Sequence, residues 1–126
     1  MSGSSVKQVI VVRRDIPMKR GKLSSQIVHA AMKFLIDNND AERGDEMHVR
    51  LSQDEALWLS GSMDPYIAMV DSEDALQNLI LKARLHDIEV YPVVDTSGGS
   101  SILTCAAFGP CDENDINKIA SKLSPM

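Results

Sequence analysis

The sequence lacks any apolar run approaching the roughly 18 residues that a membrane-spanning helix needs. It has only two cysteines, Cys105 and Cys111. Two are too few for a disulfide framework, and their spacing matches no metal-ligand pattern, so no metal site is expected. The expectation is one buried thiol and one loop thiol in a reducing cytoplasm. Met1–Ser5 is small and polar without the apolar core of a signal segment, which suggests a disordered tail. Internal repeats and low-complexity tracts are also absent. What is left is a single domain over residues 6–126.

The content that is present supports that reading. A chain of 126 residues can bury one sizeable core. Its 44% apolar and 25% charged residues are ordinary for a globular protein. The formal net charge of −5 hides a strong asymmetry. Residues 1–36 hold seven Lys or Arg against one acidic residue, a net of +6. Residues 37–126 hold six against seventeen, a net of −11. This pattern predicts a basic face on an acidic body, and phosphate binding needs only the local face.

Periodicity along the chain predicts the fold. Val6–Val12 reads as a strand buried on both faces. Ile27, Ala30, Ala31, Phe34 and Leu35 mark one face of a helix from about Lys22 to Asn38, and His29 lies beside that face. Ser52-Gln53-Asp54-Glu55 is a capping box for a short helix to about Ser60, with Trp58 pinning it to the body. Tyr66–Val70 is a strand. Ser72 caps a helix that ends near His86. Ile88–Val94 is a strand in which Pro92 argues for an edge or a bulge. Ile102–Phe108 is a strand stopped by Gly109-Pro110. Asp112 caps a last helix using Ile116, Ile119, Ala120 and Leu123. The order β-α-α-β-α-β-β-α predicts an α/β fold. Its expected form is a four-stranded mixed sheet with helices on both faces, a three-layer α/β/α sandwich whose last two strands are antiparallel.

Two loops should lie where carboxyl ends of strands meet a helix N-terminus. The first, Arg13–Lys22, gathers Arg13, Arg14, Lys19, Arg20 and Lys22 around Gly21, as an anion site at a helix start requires. The second, Asp95–Ser101, offers a carboxylate among hydroxyls. Lys22 could neutralise a phosphate or an oxyanion, and Asp95 could act on water as a general base. Thr96, Ser97, Ser100 or Ser101 could position that water. The same residues also fit a solvated basic loop and an ordinary Asp-initiated turn, and His29 fits a packed or capping role.

Val11–Ala31, VVRRDIPMKRGKLSSQIVHAA, resembles the signature of the second, archaeal and eukaryotic, type of peptidyl-tRNA hydrolase. Arg13, Asp15, Met18, Gly21, Lys22, Gln26 and His29 all fall in register. Thr104–Pro110 is similar to that family's last core strand. The resemblance implies an esterase that releases tRNA from peptidyl-tRNA without metal or organic cofactor. It implies Lys22 and Asp95 as catalytic residues, with Ser100 in place of the family's threonine, since the Asp95–Ser101 loop is shorter here. It implies Arg13, Lys19, Arg20, Gln26 and His29 as tRNA-binding residues. tRNA is then the partner, no membrane is involved, and a homodimer is left open. An inactive module of the same fold, binding tRNA, nucleotide or protein, is the alternative.

Overall fold

The computed structural model describes residues 5–126. The expected tail therefore lies outside the described residues apart from Ser5, whose carbonyl accepts a hydrogen bond from Glu113 N–H at 2.9 Å.

The order is β1 (Val6–Arg13), α1 (Arg20–Ile36), α2 (Gln53–Ser60), β2 (Tyr66–Val70), α3 (Glu73–Leu85), β3 (Val90–Asp95), β4 (Ile102–Asp112), α4 (Glu113–Ala120) and β5 (Ser124–Pro125). The strands form one mixed sheet in the order β3-β4-β1-β2-β5. β1 and β2 are parallel, while β4 runs antiparallel to both β1 and β3. β1, β2 and β3 therefore point the same way. Their carboxyl ends, Arg13, Val70 and Asp95, meet the start of β4 at one edge of the molecule.

Alternation along β1 divides the core in two, because successive side chains leave opposite faces of a strand. Val9 and Val11 pack with Leu76 and Ile80 of α3 and Ile116 and Ile119 of α4. Ile10 and Val12 pack with Ala30 and Phe34 of α1 and Trp58 of α2. Helices thus cover both faces, and Trp58 does hold α2 down. Each fully buried side chain of this size contributes on the order of 2 kcal/mol.

Four expectations are corrected. The sheet has five strands and ends the order with a further β, not four strands. β5 is only two residues long, too short for a periodicity signal. It sits at the edge, where the missing N–H of Pro125 is tolerated. Gly109-Pro110 does not stop β4, which continues to Asp112. Gly109 has φ 85°, and a Cβ there would lie 2.8 Å from Cys111 N and 2.9 Å from Lys7 O. Only glycine fits that kink, and the register slips between Lys7 and Val9 to absorb it. The continued strand carries Cys111, so the second thiol is half-buried in the sheet and not in a loop. The last helix stops at Ala120, and Leu123 reaches the core from beyond it. Pro92 behaves as its chemistry requires, on an edge strand next to a register shift at Val93/Val94.

Candidate active site

Lys22 stands in the first turn of α1, and Asp95 is the last residue of β3. Far apart in sequence, they meet at the common edge of the sheet: Lys22 Nζ donates to Asp95 Oδ1 at 3.0 Å. Ser97 closes the group. Its Oγ accepts from Lys22 Nζ at 3.0 Å and donates to Asp95 Oδ2 at 3.2 Å. Its backbone N–H donates to Asp95 Oδ1 at 3.1 Å. The Lys22 bond first, then the backbone and hydroxyl of Ser97, hold the Asp95 carboxyl below its ordinary value of 3.8. An ammonium has three donors, and two are engaged here, which leaves one for an incoming oxygen.

A buried polar link lies under the pair. Gln26, one helical turn beyond Lys22, is buried, and its Oε1 accepts from Thr104 Oγ1 at 2.7 Å. The same hydroxyl lies 3.3 Å from Val93 O, and Cys105 Sγ lies 3.6 Å from Gln26 O. This ties α1 to β3 and β4 directly beneath Lys22 and Asp95. Gln26 thus turns its amide oxygen into the protein. The signal for this link in the sequence is the lone hydroxyl of Thr104 between Leu103 and Cys105 in an apolar run. Burial pushes the Cys105 thiol up to about 11 and, helped by Asp115, that of Cys111 up to about 12. Both stay protonated near neutrality and are poor nucleophiles.

The expected basic face is much reduced by folding. Arg13 is held by Asp15 at 2.8 Å and Glu73 at 3.4 Å, and donates to Leu103 O at 2.9 Å. Arg14 is paired with Asp71. Lys19 and Arg20 are exposed and have no ion-pair partner among the described residues. They flank the start of α1, which has neither a capping side chain nor an acidic residue in its first turn. The other three helices are capped by Ser52, Ser72 and Asp112, with acidic first turns. The first N–H groups of α1 are therefore open to an anion. Gly21 lies inside this turn, and a Cβ there would meet nothing within 4 Å. His29 is exposed on α1, one turn further from the pair than Ser25. Ser100 is exposed in the turn after β3 and makes no side-chain hydrogen bond among the described residues.

No group of three or more His, Cys, Asp or Glu side chains among the described residues could hold a metal ion. A cavity of about 420 Å³ at the opposite end of β3 is lined by Asp40, Asp54, Glu55, Asp87 and Glu89 with Arg50, and would repel a polyanion. No helix among the described residues is long and apolar enough to cross a membrane.

Comparison with known proteins converges on one family. The family model described as "Peptidyl-tRNA hydrolase PTH2" matches residues 6–126. A protein named peptidyl-tRNA hydrolase from Saccharolobus islandicus is 30% identical over 126 residues, covering 94% of this chain and 97% of its own length. Proteins of the same name from Haloquadratum walsbyi and Saccharolobus solfataricus are 28% and 27% identical. Each alignment covers 94% of this chain, with 98% and 97% of the respective relative.

Proposed function

The chain belongs to the peptidyl-tRNA hydrolase PTH2 family, and we infer from that membership that it hydrolyses the ester bond joining a peptide to the 3′ end of tRNA. The inactive-module alternative is not favoured by the family or by the relatives' names. We propose that residues 6–126 act as one domain, in the cytoplasm where tRNA is used, and that Lys22 and Asp95 carry out the reaction.

The observation that supports these roles is the contact between Lys22 Nζ and Asp95 Oδ1 at 3.0 Å, with one ammonium donor left over. Asp95 orients a water against the ester carbonyl and takes its proton as the new C–O bond forms. The charge on the carbonyl oxygen develops next to Lys22, whose free donor stabilises it. Collapse of the tetrahedral centre breaks the bond to the ribose oxygen, and the proton passes to that oxygen as tRNA leaves. Ser97 keeps both side chains in place throughout. Lys19, Arg20 and the open first turn of α1 hold phosphates of the tRNA 3′ strand, which anchors the substrate without reading sequence.

The test is a discharge assay on purified peptidyl-tRNA, with free aminoacyl-tRNA as the control. Release of tRNA from the peptidyl ester in preference to the aminoacyl ester is the expected result. No release above the uncatalysed rate would defeat the proposal.

A further inference from the structure

The outward face of α1 departs from the usual pattern of a surface helix. At about 3.6 residues per turn, the face opposite the buried Gln26, Ala30 and Phe34 carries Gly21, Ser25, Val28, Met32 and Ile36. Val28, Met32 and Ile36 are 58%, 48% and 46% exposed. The charged side chains of this helix are Arg20, Lys22 and Lys33, and each lies toward the flanks of the buried stripe. A helix face turned to solvent normally carries charged and polar residues. α3 does so with Glu73, Asp74, Lys82 and Arg84, and α4 with Glu113 and Lys118. The uncharged face of α1 begins beside Lys22. Steps of three or four residues join neighbours on a helix, and they lead from Lys22 to Ser25, Val28, Met32 and Ile36 without a gap. Ser25 Oγ also donates to Lys22 O at 3.0 Å.

We propose that this face receives the peptide of peptidyl-tRNA, the chain that leads away from the ester carbonyl; the inference rests on the hydrolase reading and the role of Lys22 given above. The ester joins two polymers of unlike chemistry. The tRNA is a polyanion, and Lys19, Arg20 and the open helix start lie on one side of Lys22 for it. The uncharged face leads away on the other side. Peptides differ in sequence from one substrate to the next, so a surface that takes them all must repel neither sign of charge. Apolar contact is non-directional, and an unbranched methionine adapts to varied partners. The length is also suitable. From Lys22 to Ile36 the helix rises about 21 Å, the span of about six extended residues. A second copy of this chain is a poorer occupant, because a helix laid along this face would also cover Gly21 and Ser25, over which the substrate enters. An RNA strand there would leave its phosphates without a cation.

Discharge of two esters of one tRNA tests the proposal. One is an N-acetyl-aminoacyl-tRNA, whose single residue spans about 3.5 Å and ends short of Val28, which lies about 9 Å along the helix from Lys22. The other is a hexapeptidyl-tRNA with uncharged side chains. The parent protein is expected to show the lower KM for the hexapeptidyl ester. Val28→Ser combined with Met32→Ser should raise that KM about tenfold, the scale of burying one apolar side chain. It should leave kcat, and the KM of the N-acetyl-aminoacyl ester, unchanged. Leu81→Ser is the control, an exposed apolar position of α3, which packs on the opposite face of the sheet from α1. It should alter neither KM. A hexapeptidyl KM that the double variant leaves unchanged overturns the proposal. A KM that rises equally for both esters also overturns it and assigns the face to tRNA. A parent dimer that the double variant dissolves, seen by sedimentation, overturns it in favour of a second copy. In each of these cases turnover by the parent leaves the hydrolase reading standing. Absence of parent turnover on both esters overturns that reading, and the peptide face falls with it.

Discussion

Asp95 accepts three hydrogen bonds, from Lys22 and from the backbone and hydroxyl of Ser97. Those bonds favour its charged form and lower its proton affinity. A carboxyl with a lowered pKa is in working form above that value and loses it only as pH falls through it. The kcat/KM of the parent should therefore show no acid limb from Asp95 between about pH 5 and pH 7, and a stopped-time discharge assay across that range checks it. The pair's contribution to stability has the same sign: it is complete above 3.8 and lost as pH falls through the lowered folded value. Asp95→Asn keeps the shape and the hydrogen-bond acceptor but cannot take a proton. It should cut ester hydrolysis by about 10²-fold or more while tRNA binding, read by filter retention, stays within experimental error. Parent-like turnover in this variant would reduce Asp95 to a turn residue. The hydroxyls next to it separate cleanly. Ser97→Ala removes the bridge between Lys22 and Asp95 and should lower kcat about tenfold, the scale of one hydrogen bond to charged partners. Ser100→Ala touches neither side chain and should leave kcat unchanged. The reverse ranking would place the loop differently during turnover and reinstate Ser100 as the third group.

Among the four helices of the described residues, α1 is the one left without a cap, and its first turn holds Lys22. A capping carboxylate there would satisfy the open N–H groups and repel phosphate, so the bare start gives up helix stability and would favour an anion. Gly21 makes the same compromise. It costs the helix up to about 1 kcal/mol relative to alanine, yet a side chain at that position would meet open space and no protein atom. Gly21→Ala should thus leave the melting temperature equal or slightly raised, while the KM for peptidyl-tRNA rises because the added methyl enters the path of the substrate. A variant that is more stable and unchanged in KM would show that no substrate passes over this turn. Beneath it, the Thr104 hydroxyl joins Gln26 of α1 to β4 and reaches Val93 O of β3, two residues before Asp95.

For the whole molecule, the decisive change on folding is in charge. The +6 of residues 1–36 is met at the same sheet edge by Asp71, Glu73 and Asp95, carboxylates from the acidic remainder of the chain. Lys19 and Arg20 remain as exposed cations without ion-pair partners among the described residues. tRNA affinity should therefore rest mainly on these two and the helix start. Replacing both by Glu should weaken binding alike for all tRNAs and reduce the slope of log K against log salt by about 2, one unit per lost phosphate contact. Fluorescence anisotropy with labelled tRNA over a salt series measures it. An unchanged slope would mean that Arg13 and Arg14 leave their carboxylates to do the work.

The sequence by itself determined the elements that rest on local rules. A near-continuous apolar run wrote β1, and the i, i+3, i+4 face wrote α1. Side-chain caps at Ser52, Ser72 and Asp112 set three helix starts, because a cap acts on backbone groups within a few residues of itself. Lys22 and Asp95 were legible as candidates from equally local features, a basic loop at a helix start and a carboxylate among hydroxyls at the end of a strand. Tertiary structure alone decided what depends on partners distant in the chain. It gave β5 its place, since a two-residue strand exists only through its pairing with β2. It carried β4 through Gly109-Pro110, because the room for that kink is set by Lys7 on the neighbouring strand. It set Thr104 against Gln26, brought Ser97 to the pair while leaving Ser100 exposed, and cancelled the charge of Arg13 and Arg14. Hydrogen bonds and ion pairs are short-ranged, so which groups meet is decided by the sheet order β3-β4-β1-β2-β5 and not by their separation along the chain.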